Sequence, residues 1–105
     1  MNASRIDQTL NCLRQTLPAG SQIIVFGSQA RGDARDDSDI DLLVVEPDVP
    51  DRFGEVARLS AVLGRQRIPA DVVVMSAQQF AEQKTVINTL AWRAAREGQL
   101  HELAR

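Results

Sequence analysis

The stretch of sequence that decides the fold is FGSQARGDARDDSDIDLLVVE, residues 26–46. It joins two apolar, β-branched runs, QIIVF at 22–26 and DIDLLVVE at 39–46, which predict two strands. The residues between these runs are polar and include Gly27 and Gly32, so they predict a loop with room for one helical turn over 28–31. Because both strands are apolar along nearly their whole length, we expect them to be buried on both faces, with their polar ends at one edge of the sheet.

The rest of the chain adds helices and one further strand. Apolar residues at three- and four-residue spacing indicate helices, and proline, glycine and capping residues mark the helix ends. The predicted elements are a helix over 6–17, a helix over 51–63 ended by Gly64, a strand over 70–75, a helix that starts at Ala77 and a helix over 85–97. This order predicts an α/β fold with a small, mixed β-sheet of about three strands covered by helices. We expect residues 1–105 to form a single domain.

The composition excludes several classes of protein. The 105 residues are 44% hydrophobic and 25% charged, which is typical of one small globular domain. Cys12 is the single cysteine and His101 the single histidine, so a cysteine-rich zinc site is excluded and a Ser-His-Asp enzyme is disfavoured. The chain has no apolar run near the ~20 residues that cross a bilayer and no signal-peptide pattern, so we expect a cytoplasmic protein without membrane association. The net charge of −2 does not favour direct nucleic-acid binding.

Carboxylates are crowded around the start of the second predicted strand. Asp39 and Asp41 stand two residues apart, so strand geometry places them on the same face, roughly 7 Å apart. Such a group is either a solvated loop or a cation site, because adjacent carboxylates repel one another. Magnesium fits, because it prefers hard oxygen ligands. If the next strand is a neighbour, Asp71 joins the pair, and three carboxylates would hold two metal ions about 3.5–4 Å apart.

The turn after the first strand predicts a phosphate site. Gly27 allows close approach to the backbone, and free N–H groups at the start of a helical turn bind phosphate. The hydroxyl of Ser28 adds one hydrogen-bond donor, and Arg31, one turn further on, is a possible contact for a triphosphate oxygen. A triphosphate needs magnesium here, since the surrounding segment is strongly acidic.

These residues in this order resemble a known signature. The stretch over residues 26–46 is similar to that of the nucleotidyltransferase superfamily that includes DNA polymerase β. In particular it resembles the minimal nucleotidyltransferases (MNT) found beside HEPN-domain toxins in prokaryotes. The family pattern is a Gly-Ser pair, about ten residues, an Asp-x-Asp followed by an apolar strand, and a third carboxylate on a later strand. Gly27, Ser28, Asp39, Asp41 and Asp71 match it.

The resemblance implies a nucleotidyltransferase fold and a role for each matched residue. Gly27 and Ser28 would hold the nucleotide phosphates of ATP, and Asp39 and Asp41 would ligate Mg²⁺. Asp71 would complete the metal site, with two ions expected, and assist deprotonation of the acceptor hydroxyl. The reaction would transfer AMP and release pyrophosphate. The implied acceptor is a tyrosine of a partner HEPN toxin in a type VII-like toxin–antitoxin system, and the implied assembly is a homo- or hetero-oligomer.

Two rival functions remain open on the sequence. One is a non-enzymatic antitoxin that neutralises its partner by binding alone. The other is nucleotidyl transfer to a small molecule. The chain contains no tyrosine, so it cannot modify a tyrosine of its own.

Other conspicuous residues receive more ordinary interpretations. Asp33, Asp36 and Asp37 are interpreted as solvated loop charges, and His101 is expected on the surface. We expect the last helix to present an apolar face from Val86 to Ala94, with Trp92 on the other side. Trp92 is then either an exposed partner contact or packed beneath another element.

Overall fold

The computed structural model describes residues 2–27 and 39–102. Its helices and strands, in chain order, are α1 (Asn2–Arg14), β1 (Gln22–Phe26), β2 (Ile40–Glu46), α2 (Arg52–Arg65), β3 (Ala70–Ser76), α3 (Ala77–Gln83), α4 (Leu90–Glu97) and β4 (Gln99–Glu102). No helix within these described ranges combines the length and apolar character that a membrane crossing requires.

The strands form one mixed sheet in the order β3-β2-β1-β4. β2 and β3 run parallel, as a strand–helix–strand connection through α2 requires, whereas β1 is antiparallel to both β2 and β4. The predicted α/β fold with a mixed sheet is confirmed. The fourth strand, β4, was not predicted, because its sequence QLHE contains one apolar residue and shows no strand pattern.

Both faces of the sheet are covered, as the apolar strands predicted. On one face, Leu13 of α1 and Leu59 and Leu63 of α2 pack against the alternate residues Ile23, Val25, Ile40, Leu42 and Val44. On the other face, Ala91 and Ala94 of α4 pack against Ile24, Phe26, Leu43 and Val45. Burial of these side chains, at roughly 25 cal/mol per Å² of apolar surface, is what holds β2 rigid at the centre of the sheet.

The predicted helix over 85–97 is wrong in its first half. The helix α4 begins at Leu90, where the Thr89 side chain accepts a hydrogen bond from the Trp92 backbone N–H as an N-cap. Asn88 has a positive φ of 74°, which a continuous helix does not allow. Val86 and Ile87 therefore precede the helix and are exposed instead of forming its apolar face.

Two other expectations also need correction. The helix α2 passes through Gly64 and ends at Arg65, because Arg67 adopts the left-handed conformation (φ 57°) that turns the chain. His101 is half-buried and not a surface residue. It lies in β4 opposite Ile23, and its Nε2 is buried with no hydrogen-bond partner among the described residues.

Candidate active site

Asp41 and Asp71 lie side by side at the start of two parallel strands. They are direct register partners in the pairing of β2 with β3. The Ile40 backbone N–H donates to the Pro69 carbonyl oxygen at 3.0 Å, which fixes this register at the strand entrance. Neighbouring strands are about 4.8 Å apart, and equivalent positions in register point to the same face. The structure therefore brings together two of the three predicted carboxylates.

Gly27 lies next to the carboxylate pair, directly after β1. Phe26 is the register partner of Asp41 in the antiparallel pairing of β1 with β2, and Gly27 follows it with a positive φ of 73°. A Cβ at position 27 would overlap Asp41 Oδ2 and stand 3.2 Å from Asp41 Cγ. The carboxyl group of Asp41 thus occupies the space that any side chain at 27 would need. The backbone conformation favours glycine here, and any side chain would also force the Asp41 carboxyl group to move aside.

Asp39 is exposed and immediately precedes β2. Because it lies outside the strand, strand alternation does not fix its orientation relative to Asp41, and the same-face placement stays a prediction. Within residues 5–27 and 39–102, no group of three or more histidine, cysteine, aspartate or glutamate side chains is arranged to hold a metal ion. The three carboxylates thus do not form a closed metal cage. Mg²⁺ is usually held by one or two carboxylates and completed by substrate phosphates, so the Asp41 and Asp71 pair has a donor set that fits it.

The remaining predicted site residues lie outside the described residues. These are Ser28 and Arg31, together with the loop acids Asp33, Asp36 and Asp37. The predicted helical turn over 28–31 also falls there.

Trp92 is half-buried, so it fits neither of the two predicted environments fully. The guanidinium carbon of Arg96 lies 4.9 Å from the centre of its ring, one turn further along α4. This cation–π contact joins the half-buried ring of Trp92 to the exposed side chain of Arg96.

A second group of charged residues, which the sequence did not predict, lies at the other end of β2. Glu46 is the last residue of β2 and is 4% exposed. Burial and the neighbouring carboxylate of Glu55 raise the pKa of Glu46 to about 8. Hydrogen bonds from Arg58 hold the pKa of Glu55 at about 2. The pairing depends on how α2 packs against the end of β2, which no local sequence pattern encodes.

Comparison with known proteins agrees with this geometry. The family described as the nucleotidyltransferase domain matches residues 6–92. The chain is 36% identical over 74 residues to the protein adenylyltransferase MntA of Thermococcus cleftensis, a match that covers 68% of this chain and 72% of that protein.

Solved structures share the fold. A toxin–antitoxin complex with AMP-PNP contains a similar chain (TM-score 0.62, 22% identity, 95% of this chain and 72% of that chain). A complex of tri-AMPylated Shewanella oneidensis HEPN toxin with MNT antitoxin also contains one (TM-score 0.63, 19% identity, 95% and 71%). A third is a putative nucleotidyltransferase from Sulfolobus solfataricus (TM-score 0.52, 23% identity, 77% and 78%).

The family match runs from α1 into α4 and includes Gly27, which follows β1, together with Asp41 of β2 and Asp71 of β3. Together with the MntA relative, it confirms the family that the sequence signature indicated. The chain therefore belongs to the nucleotidyltransferase domain family.

Proposed function

We propose that this protein is a magnesium-dependent adenylyltransferase that transfers AMP from ATP to a tyrosine of a HEPN-domain toxin. It would thereby act in the cytoplasm as a type VII-like antitoxin. The observation that carries the proposal is the parallel register of Asp41 with Asp71, with Gly27 packed against the Asp41 carboxyl group. Further support comes from the 36% identity to a protein adenylyltransferase. We take residues 1–105 as one minimal nucleotidyltransferase domain, which the family match over 6–92 supports.

The resemblance to the family implies the roles of the residues. Gly27 and Ser28 would bind the triphosphate, and Asp39, Asp41 and Asp71 would supply oxygen ligands for two Mg²⁺ ions, with substrate phosphates completing the coordination. Magnesium, when bound, neutralises the triphosphate and the charge that develops during transfer. Arg31 would contact a phosphate oxygen. The Asp41 carboxyl group occupies the space that a side chain at position 27 would need.

Asp71 acts on the acceptor. It is exposed, as Asp39 is, whereas Asp41 is half-buried, and the resemblance to the family assigns the acceptor hydroxyl to Asp71. Asp71 accepts the proton of the tyrosine hydroxyl as the tyrosine oxygen forms a bond to the α-phosphorus. The bond between the α-phosphorus and the bridging oxygen breaks, and pyrophosphate leaves with that oxygen.

The test is label transfer from α-³²P-ATP to the co-purified partner, followed by mapping of the modified residue. We expect labelling of a tyrosine that requires Mg²⁺ and is lost in Asp41→Asn. The matched control is Asp7→Asn, which makes the same chemical change on the exposed side of α1. Partner inhibition without any labelling would instead support the non-enzymatic antitoxin. Labelling of a small molecule in the absence of a partner would support nucleotidyl transfer to a small molecule.

A further inference from the structure

A pocket lies at the end of β2 opposite to the catalytic carboxylates. Asp41 and Glu46 are five residues apart on this strand, which corresponds to about 16 Å at ~3.3 Å per residue. The pocket has a volume of about 330 Å³, and we call it the β2-end pocket. Its lining residues are Glu46, Asp48, Val49, Pro50, Asp51, Gly54, Glu55 and Arg58. It is therefore separate from the site that the proposed transfer uses.

Glu46 is the residue in this pocket that has an unsatisfied hydrogen-bond acceptor. It is 4% exposed, and although its carboxyl group shares a hydrogen bond with Glu55, its Oε2 is buried without a hydrogen bond to any of the residues the structure describes. Most buried polar atoms in folded proteins have such a partner, and an unsatisfied carboxyl oxygen is costly. A ligand that donates hydrogen bonds would remove this cost.

The one cation in the pocket lining is already engaged elsewhere. Arg58 donates from Nε and Nη2 to the two carboxylate oxygens of Glu55, and from Nη1 to the Thr16 carbonyl oxygen at 3.2 Å. It makes no hydrogen bond to Glu46 Oε2. The lining contains four acidic residues and one arginine, so the β2-end pocket carries an excess of negative charge and favours a cation.

An organic cation fits the β2-end pocket, because Glu46 Oε2 lacks a hydrogen bond that a guanidinium or ammonium group can donate. A guanidinium or ammonium group needs only one or two carboxylates, because it donates hydrogen bonds directly to them. The volume lies at the lower end of the roughly 300–1,000 Å³ that small-ligand pockets occupy.

An exposed aromatic ring beside the pocket points to a protein as the source of this cation. Phe53 is 87% exposed, and it lies in the first turn of α2 between the pocket residues Asp51 and Glu55. An aromatic ring in water next to a charged pocket is typical of a protein contact surface, since a partner would cover the ring while its charged side chain enters the pocket.

We propose that the β2-end pocket binds the lysine or arginine side chain of a protein partner. The proposal concerns binding alone and stands whether or not the chain transfers AMP. It assigns Glu46 Oε2 as the hydrogen-bond acceptor and Phe53 as the apolar contact next to it.

Binding should release a proton. Burial and the Glu55 carboxylate raise the pKa of Glu46 to about 8, and Arg58 opposes them. The charged groups that face Glu46 are Glu55 and Arg58 from α2, and Asp48 and Asp51 from the β2–α2 connection. A bound cation stabilises the ionised carboxylate. The apparent affinity should therefore increase at least tenfold between pH 6.5 and 8.5.

The first experiment is an NMR titration of the whole chain with methylguanidinium chloride, with tetramethylammonium chloride as a cation that cannot donate hydrogen bonds. We expect saturable shifts at Gly54 and Glu55 with methylguanidinium alone, stronger at pH 8.5 than at pH 6.5. Glu46→Gln should lose the pH dependence and most of the affinity, and Asp7→Asn should keep both. If Glu46→Gln does not fold, Asp48→Asn provides the second variant, with affinity lowered several-fold.

Equal shifts with both cations, a pH-independent affinity, or no saturation would overturn the proposal. Saturable binding of calcium chloride at the same residues would overturn it in favour of a metal site. The second experiment compares methylguanidinium with the peptide acetyl-Leu-Arg-Leu-amide. A protein partner predicts that the peptide binds tighter and that Phe53→Ala removes this gain. Equal affinity of the two probes would overturn the assignment to a protein side chain and favour a free small cation.

Discussion

The carboxyl group of Asp41 lies against the Cα of Gly27, in the space that a side chain at position 27 would fill. This contact links the end of β1 to the start of β2 at the point where β3 adds Asp71. Gly27, where the proposed phosphate-binding turn begins, and the carboxylates are thus parts of one arrangement. A change at Gly27 should act on the orientation of Asp41 as well as on the turn.

Gly27→Ala should therefore damage both stability and activity. The left-handed backbone alone costs roughly 1–2 kcal/mol for a non-glycine residue, and the overlap with Asp41 adds to it. Urea unfolding should show a loss of at least this size, with AMP transfer strongly reduced. Gly64→Ala is the matched control, because nothing lies within 4 Å of a Cβ there. In the helix α2 it should stabilise the protein by about 0.5–1 kcal/mol.

Asp71→Asn should separate proton transfer from nucleotide binding. The amide keeps the size of the side chain but cannot accept the acceptor proton as a base. We expect the transfer rate to fall about 10²- to 10⁴-fold with a smaller change in ATP affinity. Rates with saturating ATP, together with ATP binding measured by calorimetry, check this. A variant that loses ATP binding and retains the rate at saturation would contradict the assigned role.

The stability of the protein should fall as the pH rises through the range in which Glu46 titrates. Its pKa is raised from about 4.5 to about 8, so the folded state retains a proton that the unfolded state has lost. Between these values the free energy of unfolding should decrease with pH, by at most about 1.4 kcal/mol per unit. Glu55 acts in the opposite direction: its pKa is lowered to about 2, so its contribution is lost as the pH falls from about 4.5.

Urea unfolding from pH 3 to pH 9 measures both effects. The difference between the wild-type protein and Glu46→Gln should decline between pH 4.5 and 8 and be constant above this range. A difference that does not vary with pH would mean that Glu46 does not keep its proton in the folded protein.

Thr89→Ala should shorten or loosen the start of α4. The Thr89 hydroxyl accepts from the Trp92 N–H and lies 2.9 Å from the Gln83 carbonyl oxygen, to which it donates. Loss of an N-cap of this kind costs about 0.5–2 kcal/mol. Thermal unfolding checks the loss. Ser60→Ala, at an exposed position inside α2, is the control and should change stability by less than about 0.5 kcal/mol.

The parts of the fold that follow from local pattern were predictable. The runs at 22–26 and 39–46 showed that β1 and β2 are buried on both faces, and the core residues Leu42 and Leu43 confirm it. The strand β4 was not predictable, because Leu100 is its one apolar residue and its pairing with β1 depends on where α4 returns the chain. The predicted start of α4 was wrong because Val86 and Ile87 have the spacing of an apolar helical face, although both are exposed.

Part of the candidate site could likewise be predicted from the sequence, and part of it could not. The residue types and their spacing indicated Gly27, Asp39, Asp41 and Asp71, but their proximity depends on strand order, which the sequence left conditional. The contact between Gly27 and Asp41 and the pairing of Glu46 with Glu55 arise from tertiary packing, so neither could be inferred from the chain alone.

The central claim is that Asp41, Asp71 and Gly27 form a site for AMP transfer to a partner protein. Intact-mass measurement of the co-expressed HEPN partner tests it most directly. We predict an increase by one or more AMP units with the wild-type chain, ATP and Mg²⁺, and no increase with Asp41→Asn or without magnesium. A partner of unchanged mass that is still inhibited, or one modified equally by Asp41→Asn, would contradict the account.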